Sequence, residues 1–390
     1  MIARADRLQH ISSAVFFELE AVKQELTQRG IPVTDLGIGS PDMPPVAHVQ
    51  QAFSQALSQR DVYGYPTTQG TASFKEAASH FVSARYGVSL DPVHEILTLM
   101  GAQDGLAHLA LALVNPGDIV LIPDPGYPIY EVSVHLAGGI PYHLPLLAER
   151  GYLPDFEAVP HDVLRRSRMM ILNYPGNPVT AIPPQDFFTT VVDVARRHEI
   201  AVVHDAAYIE LVFDGARSPS FLATPGATDV GIELHSLSKT FNFAGPRLAF
   251  AAGNRDILSA LQTLKSNIDY GVFRAAQAAG ETALNGAEET IVAMRQQYAS
   301  RRDIFISTLA ESGWHVDPPA ATMFVWAPIP GDRDSRLFAR RLLENTGVAC
   351  VPGIGFGAHG EGFVRFALVH PAGVLQDAAR RIGHFFTTMH

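Results

Sequence analysis

Six short, almost continuously apolar stretches constrain the fold of this chain more than any other feature. Longer segments with helical periodicity separate them, for example DGLAHLALALV (104–114). The stretches are EILTLM (95–100), DIVLIPD (118–124), RMMILNYP (168–175), IAVVHDAAY (200–208), VGIELHSL (230–237) and RLAFAAG (247–253). Strands that lack a polar face are typical of a sheet that is covered on both sides. The sequence therefore predicts an α/β fold with a mostly parallel central sheet and helices on both faces.

The length of 390 residues is too great for one simple core and predicts more than one domain. The apolar stretches place a large domain at 46–282. An alanine-rich helical run, 274–312, leads into a smaller α+β domain at 283–390, which holds the strand GFVRFALV (362–369). Residues 1–45 are predicted to form a helix and an irregular arm that packs on the small domain.

Composition excludes several classes of protein. The chain is 47% apolar and 17% charged, and its formal net charge is −10. No basic stripe indicates a nucleic-acid partner. The sequence has neither an 18-residue apolar run nor a signal-peptide core, so we expect no membrane partner and a cytoplasmic location. Cys350 is the single cysteine, which excludes an intrachain disulfide, and no metal site is predicted.

One lysine stands where lysine is unusual. Lys239 lies in HSLSKTFNFAGPR (235–247), directly after a buried strand and among hydroxyl side chains. Lysine almost never ends a buried strand without a partner, and an imine to an aldehyde would supply one. Arg247, eight residues later, offers a fork for a phosphate, although a surface salt bridge would also explain it.

Other polar groups follow the neighbouring strands. In an open α/β sheet, ligands bind beyond the carboxyl ends of the strands. Gly101-Ala102-Gln103 could bind an anion at a helix N-terminus or be a plain tight turn. Asp205 could be a ligand or a helix N-cap, and Asn177 could be a ligand or part of a Pro/Gly turn. Taken together, these groups match the functional groups of pyridoxal phosphate (PLP).

The joint motif resembles that of the fold type I PLP-dependent aminotransferases of class I/II. The resemblance runs from about residue 33 to about residue 370, in the order and spacing of that family. The segments that carry it are YGYPTTQG (63–70), NYPGNP (173–178), HDAAY (204–208) and SLSKTFNFAGPR (236–247). It implies a large PLP-binding domain, a smaller α+β domain, and a homodimer with shared active sites in which the 1–45 arm also packs against the partner subunit.

The resemblance assigns each candidate residue a role. Lys239 would carry the cofactor as a Schiff base and shuttle the substrate proton. Asp205 would pair with the pyridinium nitrogen, and Asn177 and Tyr208 would hydrogen-bond the ring oxygen. The remaining cofactor contacts would come from Tyr127 on the ring face and from Gly101, Ala102, Gln103, Ser236, Ser238, Arg247 and the partner-directed Tyr65 around the phosphate. Arg365 would bind the substrate α-carboxylate, and Gly39, with Asn177, would line the substrate site.

Three positions depart from the usual pattern of the family. Asn177 is followed by Pro-Val-Thr-Ala rather than Pro-Thr-Gly, Ala102 replaces a frequent Ser or Thr, and Pro246 replaces a frequent Trp. None of these changes removes a catalytic group. The first puts the conformation of the loop after Asn177 in question.

The implied reaction is transfer of an amino group from an amino acid to a 2-oxo acid, most simply 2-oxoglutarate. The amino-acid sequences of the motifs are most similar to those of the LL-diaminopimelate aminotransferase group. A PLP-dependent C–S β-lyase shares the same constellation and stays an alternative, as does a non-catalytic ligand sensor, for which residues 1–45 are too short to supply a DNA-binding domain. The substrate side chain is not fixed by the sequence. Polar candidates for its distal end are Glu18, Glu20, Lys265, Asn267 and Tyr270, although Lys265 is also readily explained as an exposed helix lysine.

Overall fold

The structure is a computed structural model that describes residues 5–8, 14–331 and 334–388. The α-helices are α1 (Ala14–Gln28), α2 (Ala47–Leu57), α3 (Ala72–Tyr86), α4 (Ala102–Leu113), α5 (Ile129–Leu136), α6 (His161–Arg166), α7 (Phe187–His198), α8 (Ala227–Val230), α9 (Leu237–Thr240), α10 (Arg255–Lys265), α11 (Arg274–Asn285), α12 (Ala287–Ala310), α13 (Ser335–Thr346) and α14 (Ala372–Thr388). The strands are β1 (Thr34–Asp35), β2 (Ile96–Leu99), β3 (Ile119–Asp124), β4 (Ile140–Pro145), β5 (Ser167–Leu172), β6 (Ala201–Asp205), β7 (Gly231–Ser236), β8 (Ala249–Gly253), β9 (Phe324–Pro328), β10 (Val348–Ala349), β11 (Val351–Pro352) and β12 (Phe363–Ala367).

Seven strands form the central sheet, in the order β2-β8-β7-β6-β5-β3-β4. Neighbours from β4 through β7 pair in parallel, and β8 pairs antiparallel with both β7 and β2. The predicted α/β class and mostly parallel sheet are confirmed. Five of the six apolar stretches contain a whole strand of this sheet, and the sixth, 168–175, contains all of β5 except Ser167.

Alternate side chains of the inner strands enter two separate cores, as strand geometry requires. On β3, Ile119 and Leu121 pack with residues of α3, α7 and α11. Val120 and Ile122 point to the other face and pack with α4, α5 and α10. The sheet is therefore buried between two helical layers, which explains why its strands carry no polar face.

A smaller antiparallel sheet, β11-β12-β9, lies with α12, α13 and α14 around a third core. The arm joins this part of the chain, because β1 pairs in parallel with β10 and Ala367 N–H donates to the Leu36 carbonyl. These contacts place Gly37–Ser40 close to β12. The exact boundaries predicted at 45 and 282 stay predictions.

Two expectations about elements need correction. The sequence did not predict β4, because its residues, IPYHLP, include two prolines and lack a continuous apolar run; they are mostly exposed or half-exposed, as suits the edge of a sheet. The helical run 274–312 is two helices, since Gly286 separates α11 from α12. Within the described residues, no helix is long and apolar enough to cross a lipid bilayer.

Candidate active site

A cavity of about 360 Å³ lies where β5, β6 and β7 end and where α4 begins. Its volume is in the range of small-molecule sites. Its walls come from both sheets and from the arm. The lining residues are Ile38, Gly39, Ser40, Ala102, Gln103, Leu106, Tyr127, Tyr130, Asn173, Asn177, Asp205, Ala207, Tyr208, Ser236, Ser238, Lys239, Ala244, Arg247, Phe324 and Arg365.

Lys239 enters the cavity from α9, the short helix that directly follows β7. Ser236 caps this helix by accepting a hydrogen bond from the Ser238 backbone N–H at 3.2 Å. The Lys239 ammonium donates to the Gly39 carbonyl at 2.6 Å. Burial, together with the nearby charges of Arg365 and Arg247, lowers the pKa of Lys239 to about 8, against the opposing effect of Asp205. The amine is therefore readily deprotonated near neutral pH, as a nucleophile or a base must be.

Asp205 ends β6 at the base of the cavity and is buried. The Tyr130 hydroxyl donates to one carboxylate oxygen at 2.9 Å, and the Ala207 N–H donates to the other at 3.3 Å. Burial raises the pKa of Asp205, although these two hydrogen bonds oppose the shift. Such a carboxylate gains stability when a cationic group approaches it.

Asn177 lies on the loop that follows β5 and is held by Asn173. The Asn173 side chain accepts from the Asn177 N–H at 2.8 Å and donates to the Asp205 carbonyl at 2.6 Å. Arg365 donates to the Asn177 side-chain oxygen at 2.5 Å. This contact leaves the Asn177 amide N–H groups free to donate to a ligand oxygen.

Arg365 comes from the middle of β12 and is 6% exposed. Its guanidinium also donates to the Gly37 carbonyl and lies over the rings of Phe324 and Phe356, at 4.3 and 4.8 Å from their centroids. It forms no ion pair with any residue that the structure describes, and its Nε is buried without a partner. Burial lowers its pKa to about 10. A buried guanidinium in this state calls for an anionic ligand, and a carboxylate matches its fork.

The turn between β2 and α4 forms a cup with Arg247 above it. Gly101 has φ +87°, and a Cβ at this position would lie 2.4 Å from an Arg247 Nη. Only glycine permits this approach of the guanidinium to the N-terminus of α4. Ala102, Gln103, Ser236 and Ser238 complete the cup, which has the donors and the charge that an anion requires. The salt-bridge explanation for Arg247 is not supported, since no carboxylate pairs with it in the described ranges and its Nη1 donates to the Ala244 carbonyl.

Two predicted tyrosines line the walls of the cavity. The Tyr127 hydroxyl donates to the Gln103 side chain at 3.2 Å, and its ring packs edge-on against Tyr130. The Tyr208 ring packs edge-on against Phe324. The pKa of each phenol is raised by burial, so both are hydrogen-bond donors in the neutral form.

The structure thus brings together almost all the residues singled out from the sequence. Gly101 lies behind the cavity wall. Tyr65 is 85% exposed and does not line the cavity of its own chain; its ring instead lies 5.6 Å from that of Tyr270. Gly39 lines the cavity, and a Cβ there would lie 2.7 Å from the Phe324 ring.

Both interpretations of Lys265 are wrong. It is neither an exposed helix lysine nor part of the cavity, because it is fully buried and pairs with Asp104 at 2.5 Å and Asp269 at 2.6 Å. Asp104, Asp269 and His108 are spaced so that they could hold a metal ion, but the Lys265 ammonium already bonds both carboxylates. Glu18, Glu20, Asn267 and Tyr270 are exposed and do not line the cavity.

Sequence reasoning missed three residues that shape the site: Tyr130, Asn173 and Phe324. Tyr130 could have been found, since it lies three positions after Tyr127, in the first turn of α5. Asn173 opens the NYPGNP motif and was passed over for Asn177. Phe324 gave no signal, because it reaches the site only through the packing of β9.

Comparison with known proteins gives consistent results. The family model described as "Aminotransferase class I and II" matches residues 31–382. LL-diaminopimelate aminotransferase of Moorella thermoacetica is 44% identical over 378 residues, with 97% of each chain covered. The protein of the same name from Syntrophobacter fumaroxidans is 45% identical over 379 residues, covering 97% of this chain and 98% of its own. The substrate-bound BacF structure from Bacillus subtilis superposes with a TM-score of 0.95 at 35% identity, covering 99% of this chain and 98% of that one.

Proposed function

The chain belongs to the class I and II aminotransferases, and we propose that its cavity binds PLP through Lys239 and the amino acid substrate through Arg365. The protein is a PLP-dependent transaminase, as the family and the named relatives show. The relatives support transamination over the C–S β-lyase alternative. One observation carries the assignment of residues: a lysine with a lowered pKa and a buried arginine without a counter-ion face the same cavity.

The residues present fit the cofactor group by group. The Lys239 amine would hold it covalently, and Asp205 would pair with its pyridinium nitrogen. The cup formed by Gly101, Ala102, Gln103, Ser236, Ser238 and Arg247 offers backbone N–H groups, hydroxyls and a guanidinium for the phosphate. Asn177 and Tyr208 offer neutral donors to the ring oxygen, and Tyr127 offers an aromatic face.

The chain's own residues would then perform three tasks. PLP, when bound, supplies the electron sink for negative charge at the substrate Cα. Arg365 holds the α-carboxylate with two parallel hydrogen bonds and so fixes the orientation of the Cα–H bond. The Lys239 Nζ removes that proton and later returns it, which suits an amine with a pKa of about 8. Tyr130 and the Ala207 N–H hold the Asp205 carboxylate in place.

Borohydride labelling tests the assignment of Lys239. Reduction of the yellow protein should fix the cofactor to Lys239, and peptide mapping should find the label there. Lys75 is the matched control, because it is also buried but donates to the Val93 carbonyl, away from the cavity. A label on any other lysine would contradict the proposal.

The proposed amino donor is LL-diaminopimelate, with 2-oxoglutarate as acceptor. This rests on the names of relatives that are 44–45% identical across almost the full chain. Apart from Lys239, the cations of the described lining are Arg247 and Arg365, which are assigned to the cofactor phosphate and the α-carboxylate. Other parts of the assembly would therefore recognise the distal amino acid group. LL-diaminopimelate should exceed alanine, aspartate, methionine and phenylalanine in kcat/KM by at least about tenfold, or about 1.4 kcal/mol. Faster turnover of any of those four would remove this substrate and leave the aminotransferase, whereas faster release of pyruvate and ammonia from cystathionine would favour the lyase.

A homodimer with shared active sites is also proposed. Five apolar side chains form an exposed tyrosine patch: Tyr63, Tyr65, Ile268, Tyr270 and Phe273, at 68%, 85%, 52%, 64% and 39% exposure. Arg274 ties its two segments together by donating to the carbonyls of Asp61 and Tyr65. Contiguous apolar surface of this kind marks protein interfaces, and a second copy would bring Tyr65 to the neighbouring cavity. A cytoplasmic location stays a prediction.

Mixing two inactive variants tests the shared site. A Lys239→Ala chain and a Tyr65→Phe chain should together regain part of the activity, because one site of the mixed dimer has both its lysine and a tyrosine. Sedimentation of a fully active monomer would refute the dimer.

A further inference from the structure

The large sheet contains a buried charged cluster that the reaction described above does not use. Glu233 on β7 lies between His204 on β6 and His235 on β7, and these side chains are at most 4% exposed. His204 Nδ1 and His235 Nε2 each lie 3.0 Å from a different Glu233 oxygen. The Ser220 hydroxyl and the Phe221 N–H donate to the same carboxylate. The pKa of Glu233 is held well below its usual range because these donors outweigh the effect of burial.

This cluster reaches the active site through the second nitrogen of His204. His204 Nε2 lies 3.0 Å from the Tyr174 carbonyl and 3.3 Å from the Tyr174 N–H. Tyr174 lies in the loop between Asn173 and Asn177, so His204 holds its backbone in the middle of that loop. Asn173 bonds both the Asn177 N–H and the Asp205 carbonyl. The Asn173 side chain therefore supports Asn177 and Asp205, two of the residues proposed to contact the cofactor ring.

The loop needs such support. Pro175 and Pro178 have no N–H to donate, which leaves few backbone hydrogen bonds to fix it. The Gly176 N–H donates to the Val179 carbonyl at 2.9 Å, and the sequence after Asn177 departs from the usual pattern. His204 is adjacent in sequence to Asp205 but points to the opposite face of the sheet, as alternation along a strand requires. It cannot touch a ligand in the cavity, so its influence acts through Tyr174.

We propose that His204, oriented by Glu233, is a positioning residue that fixes the Asn173–Asn177 loop and thereby the contact of Asn177 with the cofactor ring oxygen and with Arg365. This inference deepens the proposed function and rests on it for the role of Asn177. A small displacement of a positioned group can lower a rate by as much as about a hundredfold.

Two substitutions separate the two bonds of His204. His204→Gln places its amide group, which has both a donor and an acceptor, near the Nε2 position, so it keeps a hydrogen bond with the Tyr174 backbone and loses the contact with Glu233. His204→Asn places its amide near Nδ1, so it keeps the contact with Glu233 and loses Tyr174. We expect His204→Asn to lower kcat/KM by about 10- to 100-fold and to shift the pH midpoint of the visible absorption band of the bound cofactor. His204→Gln should retain the wild-type midpoint and at least about a third of kcat/KM, although its Tm falls because the Glu233 carboxylate loses a donor.

His235→Phe is the matched control. His235 is stacked on Phe250 at 4.9 Å and bonds Glu233, but it does not touch Tyr174. Its Tm should fall and its midpoint should stay unchanged. Activity that follows Tm across the three variants, instead of following the Tyr174 bond, would overturn the proposal. If His204→Asn does not fold, His204→Gln alone decides, because a shifted midpoint in that variant contradicts the proposal.

The readouts also distinguish this inference from the proposed function. The midpoint of the band requires only bound cofactor. If the wild-type protein shows the visible absorption band of the bound cofactor but transaminates no amino acid, the proposed function is refuted. The positioning role can still be measured from the midpoint of the band. Wild-type activity and midpoint in His204→Asn would sink the positioning role and leave the function intact.

Discussion

The two halves of the active-site cavity differ in how they are built. The proposed cofactor half consists of Lys239, Asp205, Asn177 and the cup before α4, all of which lie at the ends of strands of the one large sheet. The substrate half consists of Arg365, Phe324 and the arm at Gly37–Ser40. Arg365 and the Gly37 carbonyl that it contacts lie 328 positions apart in the sequence. The residues proposed to bind the cofactor therefore come from short local motifs, whereas those proposed to bind the substrate come from segments that are remote in the sequence.

This difference has a physical basis. Parallel strands end at the same edge of a sheet, so side chains that follow neighbouring strands lie close together once the sheet has formed. The substrate half is brought together by the pairing of β1 with β10 and of β12 with β9 and β11. Changes in the cofactor half should then affect all substrates alike, and changes in the substrate half should affect binding while the cofactor stays in place.

The largest effect is expected from the cofactor half. Lys239→Ala removes the covalent attachment and the proton-transferring amine, so kcat should fall by about 10⁴-fold or more for every amino donor. Steady-state assays with several donors would measure this. If one amino donor retains substantial turnover, the proton passes through another group. The expectation that changes in the cofactor half affect all substrates alike would then be wrong.

Asp205→Asn keeps the shape of the side chain and removes its charge. We expect kcat to fall by about 10²- to 10³-fold, in line with the loss of one preorganised electrostatic contact, and by a similar factor for different donors. Asp124→Asn is the control, since Asp124 is a buried carboxylate at the end of β3 that bonds His359 and does not line the cavity. A comparable loss in the control would mean that burial of an amide, and not the charge at Asp205, is responsible.

Arg365→Lys tests the substrate half. The charge stays and the two-pronged fork is lost, so kcat/KM should fall by about 2–4 kcal/mol. This loss should appear mainly as an increase in KM. The visible absorption of the cofactor should not change. Loss of the cofactor band in this variant would show that the two halves cannot be separated.

The smallest effect concerns stability and pH in the protein without cofactor. The pKa of Lys239 falls from 10.5 to about 8 on folding, chiefly by burial. Between these pH values the unfolded chain binds a proton that the folded chain has released, so the free energy of unfolding rises with pH through this window. Below about pH 8 both states are protonated and the full cost of the buried charge is present.

Lys239→Met lacks the titrating group and provides the comparison. Its free energy of unfolding should exceed that of the wild type near pH 7, and the gap should shrink as the pH approaches 10.5. Urea denaturation at several pH values would measure both. A gap that does not depend on pH would contradict the lowered pKa of Lys239 in the cavity.

The sequence alone indicated six of the seven strands of the large sheet and the residues proposed for the cofactor half of the site. Apolar stretches without polar alternation could only be strands buried on both faces, and Lys239, Asp205 and Asn177 follow those strands directly. Local patterns of this kind survive in the sequence because their residues are neighbours along the chain.

Only the tertiary structure decided the role of residues whose partners are remote. Lys265 ends a helix and has one partner nearby in Asp269, but nothing in its own segment indicates that Asp104, 161 positions away, also pairs with it in the core. His204 was passed over beside Asp205, because alternation sends it to the other face of the sheet, where only the packing of β7 and the Asn173–Asn177 loop reveals its contacts. Phe324 approaches Gly39 and Arg365 solely through the small sheet. Contacts between distant segments arise from how whole elements pack, and no short stretch of sequence encodes them.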